Sequence, residues 1–249
     1  MGETYESEAL LNQYLLFHFG SPKEQFPYTF NMSEAFDFPV RCAKKGVDIG
    51  ALNKTERALD LGCSVGRSTF ELAKSFDSVI GIDYSSSFIR AAQELKARGT
   101  HLVNYLEQGT QVKQSEVSVD PEINRALVSF ECGDAQNLRH DLGRFDFVLA
   151  CNLICRLLEP TLFLDRLSEL VRPNGQLFIT TPFTWLEEYT PRSNWLGSDG
   201  RDSFNGLQSA LGKHFKLSKH WDMPFLIREH SRKFQFTIAQ ASRWVRIDA

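Results

Sequence analysis

The run Asp60-Leu61-Gly62-Cys63-Ser64-Val65-Gly66-Arg67-Ser68, taken together with Asp83, has the residue types and spacing to grip a nucleoside. Arg57 to Leu61 reads as a short buried strand. Gly62 and Gly66 then let the backbone turn sharply and approach a ligand, before Ser68 to Ala73 opens a helix. Val79 to Asp83 is a second apolar run, ending in a carboxylate about 20 residues after the glycine turn, where an α/β nucleotide fold puts the acid that holds a ribose. The spacing is D-x-G-x-x-x-G and not G-x-G-x-x-G. It suits a cationic, amino-acid-bearing cofactor better than a diphosphate, and it argues against a dinucleotide dehydrogenase. Turn glycines and helix-capping acids use the same residue types, and Ser85 could cap a helix beginning near Phe88. The ligand reading is favoured because the acids follow successive strands, where open sheets collect their ligands.

Further elements must position these groups. Phe130 to Ala135 reads as a third strand running into Asp134. Phe145 to Asn152 reads as a fourth that brings Asn152 to the active-site rim, and Leu170 to Ile179 as a turn and a fifth strand. In this order the elements resemble the class I S-adenosylmethionine-dependent methyltransferases. The resemblance implies an α/β, Rossmann-like fold: a mostly parallel seven-stranded sheet with helices on both faces, plus an N-terminal helical cap. It implies S-adenosyl-L-methionine as cofactor, S-adenosyl-L-homocysteine as its product, and no metal. The cofactor-binding residues it implies are Asp60, Gly62, Cys63, Gly66, Arg67, Ser68, Asp83, Tyr84, Ser85, Asp134, Ala135 and Asn152, with Asp134 on the adenine amine.

The 249 residues fit one such domain with additions, and 42% hydrophobic residues suffice for its core. A net charge of −3 provides no electrostatic footprint for nucleic acid. Five cysteines without a C-x-x-C pair or a histidine cluster read as free thiols of a reducing compartment. No apolar run is long enough to span a membrane, and the acidic start is unlike a signal sequence, so a cytoplasmic protein is expected.

Residues 1–56 read as an N-terminal cap and substrate lid, and 57–249 as the cofactor-binding core. Leu10, Leu11, Tyr14, Leu15 and His18 recur at helical spacing, predicting an amphipathic helix from Glu6 to Phe19 that Gly20-Ser21-Pro22 stops. Gln25 to Asn31 is an aromatic loop. The polar stretch at about 108–121 reads as a surface insertion without chemistry. Loops at about 180–200 and 222–233 are the expected substrate segments, and a last strand is read at Lys233 to Ile238. Arg228, Glu229 and Arg232 read either as a solvated edge or as partners for an amino-acid zwitterion.

The flanks carry a narrower resemblance. Tyr5 to Gly20, Pro182-Phe183-Thr184-Trp185-Leu186-Glu187-Glu188 and Pro224-Phe225-Leu226-Ile227-Arg228-Glu229-His230 are similar to the 4-mercaptohistidine N1-methyltransferase family, over nearly the whole chain. That family includes the methyltransferase domain of the ovothiol-biosynthesis enzyme. It implies methylation of an imidazole nitrogen of 5-mercaptohistidine (4-mercaptohistidine in the other ring numbering) to give ovothiol A. A separate iron-dependent sulfoxide synthase is the implied functional partner. Asn152, Tyr14, His18 and Glu188 are the expected acceptor-orienting residues. Tyr5, Phe183, Trp185, Arg228, Glu229 and Arg232 are the expected substrate-binding ones. Another small amino-acid-like or thiol acceptor, or a cofactor-binding partner without turnover, are the competing readings.

Overall fold

Leu59 and Val148 point to one side of a sheet, and Ala58 and Phe147 to the other. This alternation divides the core in two. In the computed structural model, which describes residues 6–198 and 200–247, the chain enters through α1 (Glu8–Phe19), α2 (Pro22–Gln25) and α3 (Phe38–Gly46). It continues as β1 (Arg57–Leu61), α4 (Arg67–Leu72), β2 (Ser78–Asp83), α5 (Ser86–Arg98), β3 (Thr100–Gln108), β4 (Gln111–Ser118) and β5 (Val128–Cys132). Then follow β6 (Phe145–Cys151), α6 (Pro160–Leu170), β7 (Val171–Thr181), α7 (Ser203–Leu211), β8 (Phe215–His230) and β9 (Lys233–Arg246).

Seven strands form one sheet in the order β5-β2-β1-β6-β7-β9-β8. β5, β2, β1, β6 and β7 are parallel, and β9 runs antiparallel to both its neighbours. Phe145 to Ala150 are buried without interruption, as a parallel strand covered on both faces requires. Phe147, Leu149 and Phe178 pack with α1, α3, α4 and α5, while Val148, Ala150, Leu177 and Ile179 pack with α6 and α7. The expected α/β fold, with its seven strands, two helical layers and leading helices, is the observed one.

Several local readings change. The polar stretch at about 108–121 is not an irregular insertion: most of it belongs to the separate antiparallel hairpin β3–β4, which turns at Gly109. Its side chains alternate between solvent and α1, and Val103 and Val117 are its buried pair of contacts. α1 is not buried along a single stripe either. Leu15, Leu16, Phe17 and His18 are all buried in succession, because the sheet, β3–β4 and β8 surround its last turn. The segment at about 222–233 is no loop. It is the far end of β8 and its tight turn into β9, a strand that reaches Arg246 and not Ile238. No helix among the described residues is long and apolar enough to cross a membrane. All five cysteines are free.

Candidate cofactor and acceptor site

Four strand ends, of β1, β2, β5 and β6, converge on one cavity of about 550 Å³, within the range of small-molecule sites. At the end of β1, Gly62 adopts φ +71° and donates its N–H to Ile82 O at 2.8 Å, pinning the turn to β2. Ser64 follows with φ +52°, a strained value for a residue with a side chain. Its N–H donates to Asp83 Oδ2 at 2.8 Å, and Ser85 N–H donates to Oδ1 at 2.9 Å. The Asp83 carboxylate is thus oriented by two backbone donors. It has lone pairs to spare on both oxygens, the arrangement a vicinal diol needs. Burial raises the Asp83 pKa above its ordinary value of 3.8, although the Ser85 and Ser64 amides pull it down.

Asp134 lines the same cavity beyond β5, its Oδ1 accepting from Gln136 N–H at 2.9 Å. Asn152, just past β6, sits at φ +53° and lines the cavity too. Its Oδ1 accepts from Thr180 Oγ1 at 3.1 Å, which leaves the amide N–H groups as the end for a ligand. The Ser64 hydroxyl is buried in the turn with no partner among the described residues. An orphaned hydroxyl beside the glycine turn, a diol-ready acid on β2 and an acid after β5 fit S-adenosylmethionine. Gly62, Ser64 and Asn152 would hold its amino-acid end, Asp83 its ribose, and Asp134, Ala135 and Gln136 its adenine.

The opposite wall is apolar. Tyr14, Phe17 and His18 from α1, Phe38 and Pro39 from α3, and Phe225 and Ile227 from β8 supply it, with Gln235 and Thr237 of β9 alongside. Phe38 and Phe225 lie 4.7 Å apart between centroids, and Phe17 meets the His18 ring edge-on at 5.3 Å. Burial, with help from the positive charge of Arg67, pushes the His18 pKa down to about 3, so the imidazole is neutral. Ahead of α1, Glu6 ties the chain to α5, accepting from Ser86 and Ser87 at 2.8–3.2 Å.

Not every expected site residue is here. Asp60 is wholly buried and accepts from Ser68 Oγ at 2.6 Å and Thr69 Oγ1 at 2.7 Å, so it braces the start of α4 instead of touching a ligand. Burial lifts its pKa to about 6. Gly66, at φ +88°, is needed because a Cβ there would lie 2.6 Å from the Phe130 ring, which is a packing reason and not a ligand one. Arg67 is spent on Glu71 at 3.1 Å and lies over the Phe19 ring. Gly62, Cys63, Ser68, Tyr84, Ser85 and Ala135 do line the cavity, although the Cys63 thiol is buried and its pKa raised.

The zwitterion reading of β8 fails. Ile227 faces the cavity, so Arg228 points the other way. Arg228 is buried against the Tyr105 ring, paired with Glu107 and donating to Glu24 O. Glu229 pairs with Lys233, and Arg232 lies over the Tyr28 ring. Phe183, Trp185 and Glu188 do not line the cavity. Trp185 stacks on Trp195 and donates to Ser203 Oγ at 3.1 Å, while Glu188 is exposed. Their neighbours Pro182, Thr184 and Tyr189 take the place expected of them, with Arg156 beside them. Tyr5 lies outside the described residues. Tyr14 and His18 were expected at the acceptor and line the cavity; Phe17, Phe38, Pro39, Phe225 and Ile227 were not expected there, because the wall's members are scattered over more than 200 positions. Among the described residues no group of histidine, cysteine and acidic side chains could hold a metal ion.

A family model described as a methyltransferase domain matches residues 32–242. Over 128 residues the chain is 27% identical to the ubiquinone biosynthesis O-methyltransferase of Coxiella burnetii, covering 51% of this chain and 44% of that protein. Over 142 residues it is 26% identical to phosphoethanolamine N-methyltransferase 3 of Arabidopsis thaliana, covering 57% and 24%. The chain therefore spans less than half the length of either relative. Among solved structures it is similar to the [4+2]-cyclase SpnF, with TM-score 0.60 and 14% identity over 100% of this chain and 95% of that one. It is also similar to the N-methyltransferase NodS of Bradyrhizobium japonicum with S-adenosylhomocysteine, with TM-score 0.52 and 11% identity over 96% and 99%. Identities this low speak to the fold alone.

Proposed function

We propose that this chain, which belongs to the methyltransferase-domain family, methylates a ring nitrogen of 5-mercaptohistidine with S-adenosylmethionine, giving ovothiol A. The observation that carries the reading is a single cavity with polar, cofactor-shaped strand ends on one side and an aromatic wall with one neutral histidine on the other. The resemblance of the N-terminal helix and of the segments at 182–188 and 224–230 to the mercaptohistidine family supplies the acceptor. A separate sulfoxide synthase would make that acceptor.

When bound, S-adenosylmethionine offers an electrophilic methyl carbon on a sulfonium that leaves as a neutral thioether. An imidazole nitrogen with a free lone pair can take that methyl without losing a proton in the same step, so the chain needs no strong base. His18 matches that requirement, since a ring so hard to protonate is a hydrogen-bonding partner and not a proton sink. Tyr14, Phe17, Phe38 and Phe225 exclude water and provide flat faces for a planar ring. Asn152, braced by Thr180, presents amide donors where the two halves of the cavity meet. Alignment and desolvation are what this site supplies.

The first test is an acceptor panel with isotope-labelled S-adenosylmethionine: mercaptohistidine, histidine, cysteine, ethanolamine phosphate and a catechol. Mercaptohistidine should give by far the highest kcat/KM. Preference for the catechol would instead align the chain with the O-methyltransferase named above. Cofactor binding without transfer to any acceptor would favour a binding role.

A further inference from the structure

A mercaptohistidine acceptor poses a selectivity problem, because its sulfur is a better nucleophile than its ring nitrogens and lies one bond from the ring. The cavity contains one feature suited to solving it. His18 is 8% exposed, and its Nδ1 is buried with no hydrogen-bond partner among the described residues. The other ring nitrogen, Nε2, is not buried in that way, and His18 lines the cavity, which leaves Nε2 as the nitrogen available to a ligand there. A buried N–H left unpaired costs more than a buried bare lone pair. The cheaper tautomer therefore leaves Nδ1 bare and puts the proton on Nε2, aimed into the cavity as a donor. Beside the His18 ring, on the same cavity wall, stand the rings of Tyr14 at 6.0 Å and Phe17 at 5.3 Å between centroids, surfaces that favour a polarisable atom such as sulfur.

We infer that His18 is a positioning residue that holds the acceptor's sulfur through Nε2–H, turning it away from the methyl group and leaving a ring nitrogen to be methylated. The inference rests on the mercaptohistidine reading above. A thiolate accepting this hydrogen bond is a weaker nucleophile and is held in one orientation, and the bond is charge-assisted. The low proton affinity of the ring keeps it a neutral donor, so it does not hand a proton to sulfur. In the transfer, the bond that forms joins the ring nitrogen to the methyl carbon. The bond that breaks joins that carbon to the sulfonium, whose electron pair returns to sulfur. The acceptor keeps its other N–H, and no further reactant is needed.

The test compares wild type, His18→Phe and His18→Gln on mercaptohistidine and on histidine, separating N-methyl from S-methyl products by tandem mass spectrometry. His18→Phe should raise the S-methyl to N-methyl ratio at least about tenfold, the effect of one lost charge-assisted hydrogen bond. It should raise KM for mercaptohistidine by a larger factor than KM for histidine. His18→Gln, which keeps an N–H donor, should restore much of the ratio. A His18→Phe protein that binds S-adenosylhomocysteine normally and gives the wild-type ratio would overturn the inference while leaving the mercaptohistidine reading intact. A wild type that does not methylate mercaptohistidine would overturn both. Nitrogen-15 spectra of wild type, with S-adenosylhomocysteine, require no variant. The Nε2–H of His18 should be present and shift on adding mercaptohistidine but not histidine, and a proton on Nδ1 would contradict the assignment.

Discussion

At the scale of single residues, Asp83 and Asp60 illustrate how one side-chain type divides its work. Asp83 faces the cavity with both oxygens oriented by backbone donors, so Asp83→Ala should weaken S-adenosylhomocysteine binding at least about tenfold, as loss of a charged acceptor costs roughly 1.5–3 kcal/mol. Calorimetry on the folded variant checks this, and unchanged affinity would remove Asp83 from the site. Its raised pKa sets a sign. The ionised form accepts two hydroxyl donors, so affinity should fall on acidification at a higher pH than an ordinary carboxylate would show. Asp60 is raised to about 6 by burial without touching the cavity. A raised carboxyl favours the folded state fully below its ordinary 3.8, and that advantage is lost as pH rises through about 6. Asp60→Asn, which can still accept from Ser68 or Thr69, should therefore lack this part of the dependence. Relative to wild type it should gain stability between pH 4 and 6, by up to about 3 kcal/mol. Denaturant titrations at both pH values measure it, and parallel pH curves would contradict the assignment. Both acids were legible in the sequence as strand-end carboxylates. Their different fates were not, because the Asp60 carboxylate is taken up by the Ser68 and Thr69 hydroxyls only once α4 has packed over the end of β1.

At the scale of elements, the strands and the glycine turn were readable because their signals are local: an apolar run, a turn residue, an acid. The hairpin β3–β4 was not, since its outward face mixes polar residues with exposed Leu102, Leu106 and Val112, which blurs the alternation, and its inward side chains meet α1, which lies some 90 residues earlier. Arg228 failed for the same reason. Its partner Glu107 is 121 positions away, so its charge read as available when the fold had already used it. Arg228→Ala should consequently act on stability, by about 3 kcal/mol for breaking a buried pair, with the KM for the acceptor little changed. A raised acceptor KM at unchanged stability would restore the substrate role. The loop after β7 makes the same point. Trp185→Ala should lower Tm through the lost Trp195 stack and the Ser203 hydrogen bond, leaving cofactor affinity close to wild type in protein that stays folded. Calorimetric melting and titration separate the two effects.

At the scale of the whole molecule, the sheet brings cofactor groups from β1, β2, β5 and β6 to one edge, and the N-terminal helices with the β8–β9 hairpin close the other side. The first half was written in consecutive motifs. The second half, where the acceptor is proposed to bind, exists only after α1, α3 and β8 have packed through Phe17, Phe38 and Phe225. A cavity that joins these halves without a strong base is suited to a neutral ring nitrogen presented in line with a methyl group, and this is the central claim. Its most direct test is the position of the methyl group in the product formed from mercaptohistidine, read by long-range carbon–proton correlation in the nuclear magnetic resonance spectrum. The methyl protons should correlate with two ring carbons and show an N-methyl shift; a methyl on sulfur, correlating with the single carbon that bears it, would contradict the account.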